Sequence, residues 1–115
     1  MDMESINRSA IVVKIKQPFI DWLKQLPDAD DVLPTLDEDG TVYLIPAFDT
    51  PEQVERYIRK NAGDIIDQEL FGWCTEESWW PKQRTHKMLQ EWFSVEFHSI
   101  ILDMEADKEL NHDPD

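Results

Sequence analysis

Glycine is scarce in this chain, with only Gly40, Gly63 and Gly72. A phosphate-cradling loop needs clustered glycines so that successive backbone N–H groups can converge on the ligand, and these three are scattered. Cysteine is scarcer still. Cys74 stands alone, which excludes an internal disulfide and a cysteine-rich zinc site. Its neighbours Glu76 and Glu77 supply the wrong charge to activate a nucleophilic thiolate, so a packed, idle thiol is expected. Positive charge is also short: 11 Lys and Arg stand against 25 Asp and Glu, a net charge of −14. A surface this acidic repels phosphate, which disfavours direct nucleic-acid binding and docking on anionic membranes. Long apolar runs are missing, and no stretch approaches the roughly 20 residues that cross a bilayer. The acidic start, Met1 to Ser5, lacks the basic opening and apolar run of about 7–15 residues found in a secretory signal. The expectation is a soluble cytoplasmic protein, and a single free cysteine fits a reducing compartment.

Enough apolar material is present for one core. Apolar residues make up 41% of 115, including five tryptophans, five phenylalanines and two tyrosines, which suits a single domain and excludes a disordered composition. The acidity is local. Asp28 to Asp39 carries −6 and Asp103 to Asp115 carries −5, leaving −3 for the rest. Such like-charge blocks read as solvated segments. The sharper alternative is an acidic nucleic-acid mimic that occupies a basic partner.

Apolar spacing sets the elements. Ile11, Val12 and Val13 are consecutive and β-branched, predicting a largely buried strand over Arg8–Lys16. Phe19, Trp22, Leu23 and Leu26 recur at i, i+3, i+4 and i+7, one stripe of a short helix that Pro18 opens and Pro27 ends. Asp28 to Gly40 reads as an acidic loop, with room for one helical turn after Thr35. Thr41–Ile45 is a second strand, and Pro46 ends it or marks a sheet edge. Thr50, Pro51 and Gln53 form a capping-box signature for a long helix through Leu70. Gly72 is expected as its left-handed cap, and Gly63 as a kink or break. Trp73–Gln83 is a loop. Thr85 caps a third helix carrying Met88, Leu89, Trp92 and Phe93, and alternation then predicts a third strand over Val95–Asp103.

The predicted order is β-α-β-α-α-β, an α+β (α/β-like) two-layer sandwich of a three-stranded mixed sheet and three helices. Strand order is second, first, third, with the first two strands parallel and the third antiparallel. Trp22, Trp92, Phe93 and Phe97 are expected deep in the core. One globular domain spans residues 5–104, and 105–115 form an acidic disordered tail.

From Asn7 to about Met104 the chain resembles a family of small uncharacterised bacterial proteins. The residues that carry the likeness are Asn7 through Val13, Gln17 through Trp22, Val42 through Pro46, Trp79 through Arg84, Trp92-Phe93 and Phe97 through Ser99. The resemblance implies a bacterial cytoplasmic protein. It brings no activity, cofactor or catalytic residue with it.

Two constellations stand out. Strand parity places Arg8, Lys14, Glu96 and His98 together on the sheet face away from the helices, with Tyr43 joining them if Val42 and Leu44 are core, either an ordinary solvated face or a surface for an acidic or polar ligand. Glu96 and His98 are two apart and able to share a metal. A useful site needs three or four ligands, and only His86 and Cys74 are available additions, with no diagnostic spacing. No nucleophile elbow, zinc-protease helix or paired-cysteine motif occurs, so no catalytic residue, metal or cofactor is assigned. The second constellation is Trp79 and Trp80 followed by Lys82, Arg84 and Lys87. Adjacent indoles in a loop rarely both point inward, and an exposed one flanked by cations suits an apolar partner patch with an acidic rim. The leading reading is a non-catalytic protein-interaction or regulatory module that binds a protein, another copy of itself included, as a monomer or homodimer. The alternative from another class is a small enzyme or metal-binding protein using Glu96 and His98.

Overall fold

The computed structural model describes residues 3–27 and 40–112. The acidic run from Asp28 to Asp39 and the expected turn after Thr35 lie outside them. The elements are β1 (Glu4–Ser5), β2 (Arg8–Ile15), α1 (Gln17–Lys24), β3 (Thr41–Pro46), α2 (Pro51–Trp73), a short 3-10 turn (Glu77–Trp79), α3 (His86–Trp92), β4 (Phe93–His98) and β5 (Leu102–Asp103). The class is α+β, with two small antiparallel sheets in the orders β3-β2-β4 and β1-β5.

β2 is the central strand, as its β-branched run predicts. Ile11 and Val13 are fully buried and point at the helices. The expected mixed sheet is corrected: β2 and β3 run antiparallel, Arg8 opposite Pro46 and Val13 opposite Thr41. The parallel reading treated α1 as the whole connection. Residues 25–40 also stand between α1 and β3, twice the length of α1, so counting one helix as one reversal does not fix the direction of β3. Gly40 then enters β3 against β2. A Cβ there would lie 2.7 Å from the Val13 carbonyl oxygen and 2.7 Å from the Lys14 Cγ, so only glycine fits this approach.

β4 pairs antiparallel with β2, as expected, with Ala10 opposite His98 and Ile15 opposite Phe93. It begins earlier than alternation suggested. Phe93 caps α3 in extended conformation (φ −138°, ψ 153°), so helix passes into strand without a loop. The predicted strand to Asp103 is broken after His98. Four residues, 6–9, face three, 99–101, between the two registers, a bulge. Beyond it β1 and β5 continue the ribbon, with the Ile6 amide donating to the Ile101 carbonyl at 3.0 Å.

α2 is a single helix capped as its sequence predicts. Thr50 Oγ1 accepts from the Gln53 amide at 3.3 Å, and Gln53 Oε1 accepts from the Thr50 amide at 3.2 Å. Gly63 is not a break. A Cβ there would lie 3.4 Å from the Arg84 carbonyl oxygen, so it marks where the loop before α3 crosses the helix. Gly72 is not a left-handed cap either, since no glycine has positive φ among the described residues. The helix ends one residue later, where Cys74 turns to an extended conformation and its amide still reaches the Leu70 carbonyl at 2.8 Å.

The core lies between α2, α1, α3 and one sheet face. Phe19 and Phe93 are its largest fully buried members, 5.2 Å apart between ring centroids. Trp22 and Trp92 pack beside them at 6.2 Å from each other but are only partly buried. Phe97 is the clear correction: it points to the helix side yet is 38% exposed. It lies four residues along edge strand β4 from Phe93, roughly 13 Å from the aromatic cluster.

Candidate functional site

β3 is an edge strand. β2 lies on one side of it, and no described strand pairs with the other. Its six residues, Thr41 to Pro46, carry no charge. Natural edge strands usually carry lysine, a bulge or an inward charge to stop further pairing; here only the proline at the end does so. Val42 and Leu44 are 62% and 50% exposed. They stand opposite Val12 and Ala10 of β2, so an apolar strip runs along the sheet face away from the helices.

Tyr43 and Ile45 point the other way, toward α2. The expectation that Tyr43 joins the open face is therefore corrected. Val42-Tyr43-Leu44-Ile45 is apolar at both parities, and the alternation cannot say which side is core. The Tyr43 hydroxyl donates to Glu69 Oε2, and Glu69 is buried on α2. Burial, then the hydrogen bond to Glu69 and its negative charge, hold the Tyr43 hydroxyl well above the usual phenol range, because each disfavours a phenolate.

Between β3 and α2 the surface sinks into a groove of about 310 Å³. Its apolar floor is Ile11, Ile45 and Ile65, and Tyr43, Tyr57, Asn61, Asp64 and Gln68 supply polar groups. Asn61 Nδ2 donates to the Tyr57 carbonyl at 2.9 Å, leaving its oxygen available. No lysine or arginine lines the groove, and Asp64 has no ion-pair partner among the described residues. Sequence reasoning passed over this site. The signal was Tyr57, Asn61, Asp64 and Gln68 at spacings of four, three and four, one helix face that reads as ordinary solvent exposure until an uncharged strand edge is set beside it.

The other four members of the expected sheet-face group do share the open face. Arg8 and Lys14 extend from β2, Glu96 and His98 from β4. His98 Nε2 and Glu96 Oε2 are 2.9 Å apart and exposed. No third His, Cys, Asp or Glu joins them in a metal-sized group among the described residues.

The tryptophan loop divides into an inner and an outer half. Trp80 is buried, and its Nε1 donates to the Cys74 carbonyl at 2.9 Å. The Arg84 guanidinium lies 5.7 Å from the ring centroid of Trp80, pairs with Asp67 and donates to the Pro81 carbonyl at 2.8 Å. Trp80 and Arg84 thus fasten the loop to α2. Trp79 is 37% exposed, Lys82 is exposed, and Lys87 lies 3.9 Å from Glu91 one helical turn on. Cys74 is buried, with its thiol on the Glu76 carbonyl at 3.6 Å. No described helix is long and apolar enough to cross a membrane. No protein-family model, no curated protein and no solved structure matches the chain.

Proposed function

We propose that this protein is a non-catalytic interaction module that captures an extended peptide segment of a partner along the outer edge of β3, in the groove against α2. The observation that carries this reading is the edge itself: an uncharged strand that no described strand pairs on its outer side, with Val42 and Leu44 exposed. Strand addition supplies main-chain hydrogen bonds for affinity, while alternate side chains of the added strand read the two faces for specificity. One set meets Val42 and Leu44 on the open face. The other set faces α2 above the apolar floor of the groove. A depression that is mostly apolar, with a few convergent polar groups, is the usual form of a binding site. Trp79 with Lys82 is a second surface of the same general kind, supported by the exposed indole. It excludes Trp80 and Arg84, which are committed to internal contacts.

The test is a nuclear magnetic resonance titration of the labelled protein. The probe is a capped five-residue peptide of alternating threonine and valine with glutamine at its centre. Amides of residues 41–45 and 57–68 are expected to shift and saturate. Leu44→Lys, which places a charge on the exposed strip without touching the core, is expected to weaken binding at least tenfold. Shifts confined to Trp79 and Lys82, or no saturable shift anywhere, would overturn the strand-edge reading.

A further inference from the structure

Resting on that strand-edge reading, we infer that the captured segment carries a basic side chain, lysine or arginine, at the position that enters the groove between β3 and α2. Three observations converge on a cation.

The first is the balance of donors and acceptors. Asp64 offers a full carboxylate with no ion-pair partner among the described residues. The Asn61 amide gives one of its two N–H groups to the Tyr57 carbonyl and keeps its oxygen as an acceptor. The Tyr43 hydroxyl directs its one hydrogen to Glu69, so toward the groove it can only accept. The Tyr57 hydroxyl and the Gln68 amide also line the groove and can donate or accept, but both are neutral, so Asp64 is the one full charge in the lining; a cationic group with several donors answers it, and ammonium and guanidinium are the side-chain groups of that kind.

The second is the wall behind the acceptors. Glu69 does not line the groove, but it is buried and accepts from the Tyr43 hydroxyl, so a second carboxylate lies one hydrogen bond behind the lining. The Tyr43 and Tyr57 rings add π faces, which attract cations and have no comparable attraction for anions.

The third is shape. Ile11, Ile45 and Ile65 give the groove an apolar floor. Lysine and arginine have apolar stems ending in charge and can bury the stem while the head meets polar groups. The groove's volume of about 310 Å³ is enough for one such side chain. An acidic side chain would meet Asp64 with no compensating cation in the lining. An apolar one would leave Asp64 and Asn61 unmatched.

The experiment compares three capped peptides that differ only at the centre: lysine, glutamine and glutamate, with threonine and valine alternating around it. Affinity for the full-length protein is measured from saturation of the β3 amide shifts at 0.15 M salt, which screens the general attraction of an acidic protein for cations. The lysine peptide is expected to bind at least fivefold more tightly than the glutamine peptide, and the glutamate peptide more weakly than both. Asp64→Asn, an exposed near-isosteric change, is expected to erase the lysine preference while leaving the glutamine peptide's affinity within twofold. If lysine and glutamine peptides bind β3 equally, or the preference survives in Asp64→Asn, the basic-side-chain inference is overturned and strand capture stands. If no peptide shifts β3, strand capture itself is wrong and the inference falls with it.

Discussion

Tyr43 is the residue at which packing, hydrogen bonding and electrostatics meet. Its ring faces α2 and its hydroxyl is the partner of buried Glu69. Tyr43→Phe keeps the ring and removes the donor, leaving a carboxylate buried without that bond. A loss of about 1–3 kcal/mol is expected at neutral pH, the usual result of orphaning a buried polar group. The pH dependence has a definite sign. The folded protein holds the Tyr43 proton more tightly than the unfolded chain, where a phenol titrates near its ordinary value of about 10. Below that value both states keep the proton and the contribution is fully present. Above it the unfolded chain releases its proton first, so stability falls as pH rises. Urea unfolding of the two proteins from pH 7 to pH 11 checks this. The advantage of the natural protein is expected to shrink above about pH 10, and a gap constant to pH 11 would refute the account.

At the scale of elements, the loop between α2 and α3 shows how adjacent identical residues take different work. Trp80 is buried, hydrogen-bonded to the Cys74 carbonyl and flanked by Arg84; Trp79 sits in the 3-10 turn with its indole partly in solvent. Trp80→Ala is expected to cost about 3–5 kcal/mol, as for other large core truncations, and Trp79→Ala less than about 1 kcal/mol. Equal losses in chemical denaturation would mean that the two indoles share the structural role. The sequence made some of these elements legible and hid others for physical reasons. The capping box of Thr50 and Gln53 and the Thr85 cap are local, and local chemistry is read directly: the Met88 amide does reach Thr85 Oγ1. The central place of β2 was legible because only a central strand needs three consecutive β-branched residues. The direction of β3 was not, because it depends on residues 25–40, whose composition fixes no path. The facing of β3 was hidden because its apolar residues fill both parities. The groove was hidden for the same reason. Asp64 gains meaning only when tertiary structure sets it opposite an uncharged edge.

For the whole molecule the governing quantity is the charge of −14 and its placement. Over a surface a few Debye lengths across, such a charge draws in cations generally. A basic segment would be steered toward the protein before any specific contact forms, with the groove at Asp64 supplying selectivity. The same charge opposes the compact state by self-repulsion. The end of the described chain separates the two effects. The turn after β5 is built in, with the Glu105 amide on Asp103 Oδ1 at 2.8 Å and the Lys108 amide on the Glu105 carbonyl at 2.9 Å. Beyond it Glu109 to His112 are exposed and take part in none of the hydrogen bonds or ion pairs described above. A cut after Lys108 therefore removes no packing from the described residues. It also removes Glu109, Asp113 and Asp115, lowering the net charge from −14 to −11. The melting temperature of the shortened protein is expected to equal that of the full chain at 0.15 M salt and to match or exceed it at low ionic strength, where repulsion is least screened. A fall of more than about 4 °C, on the order of 1 kcal/mol for a domain of this size, would show that the tail contributes packing. A longer cut, before Leu102, takes away β5 and leaves β1 unpaired. That variant is expected to melt lower than the full chain at both salt concentrations, because lost pairing, unlike repulsion, is not relieved by screening.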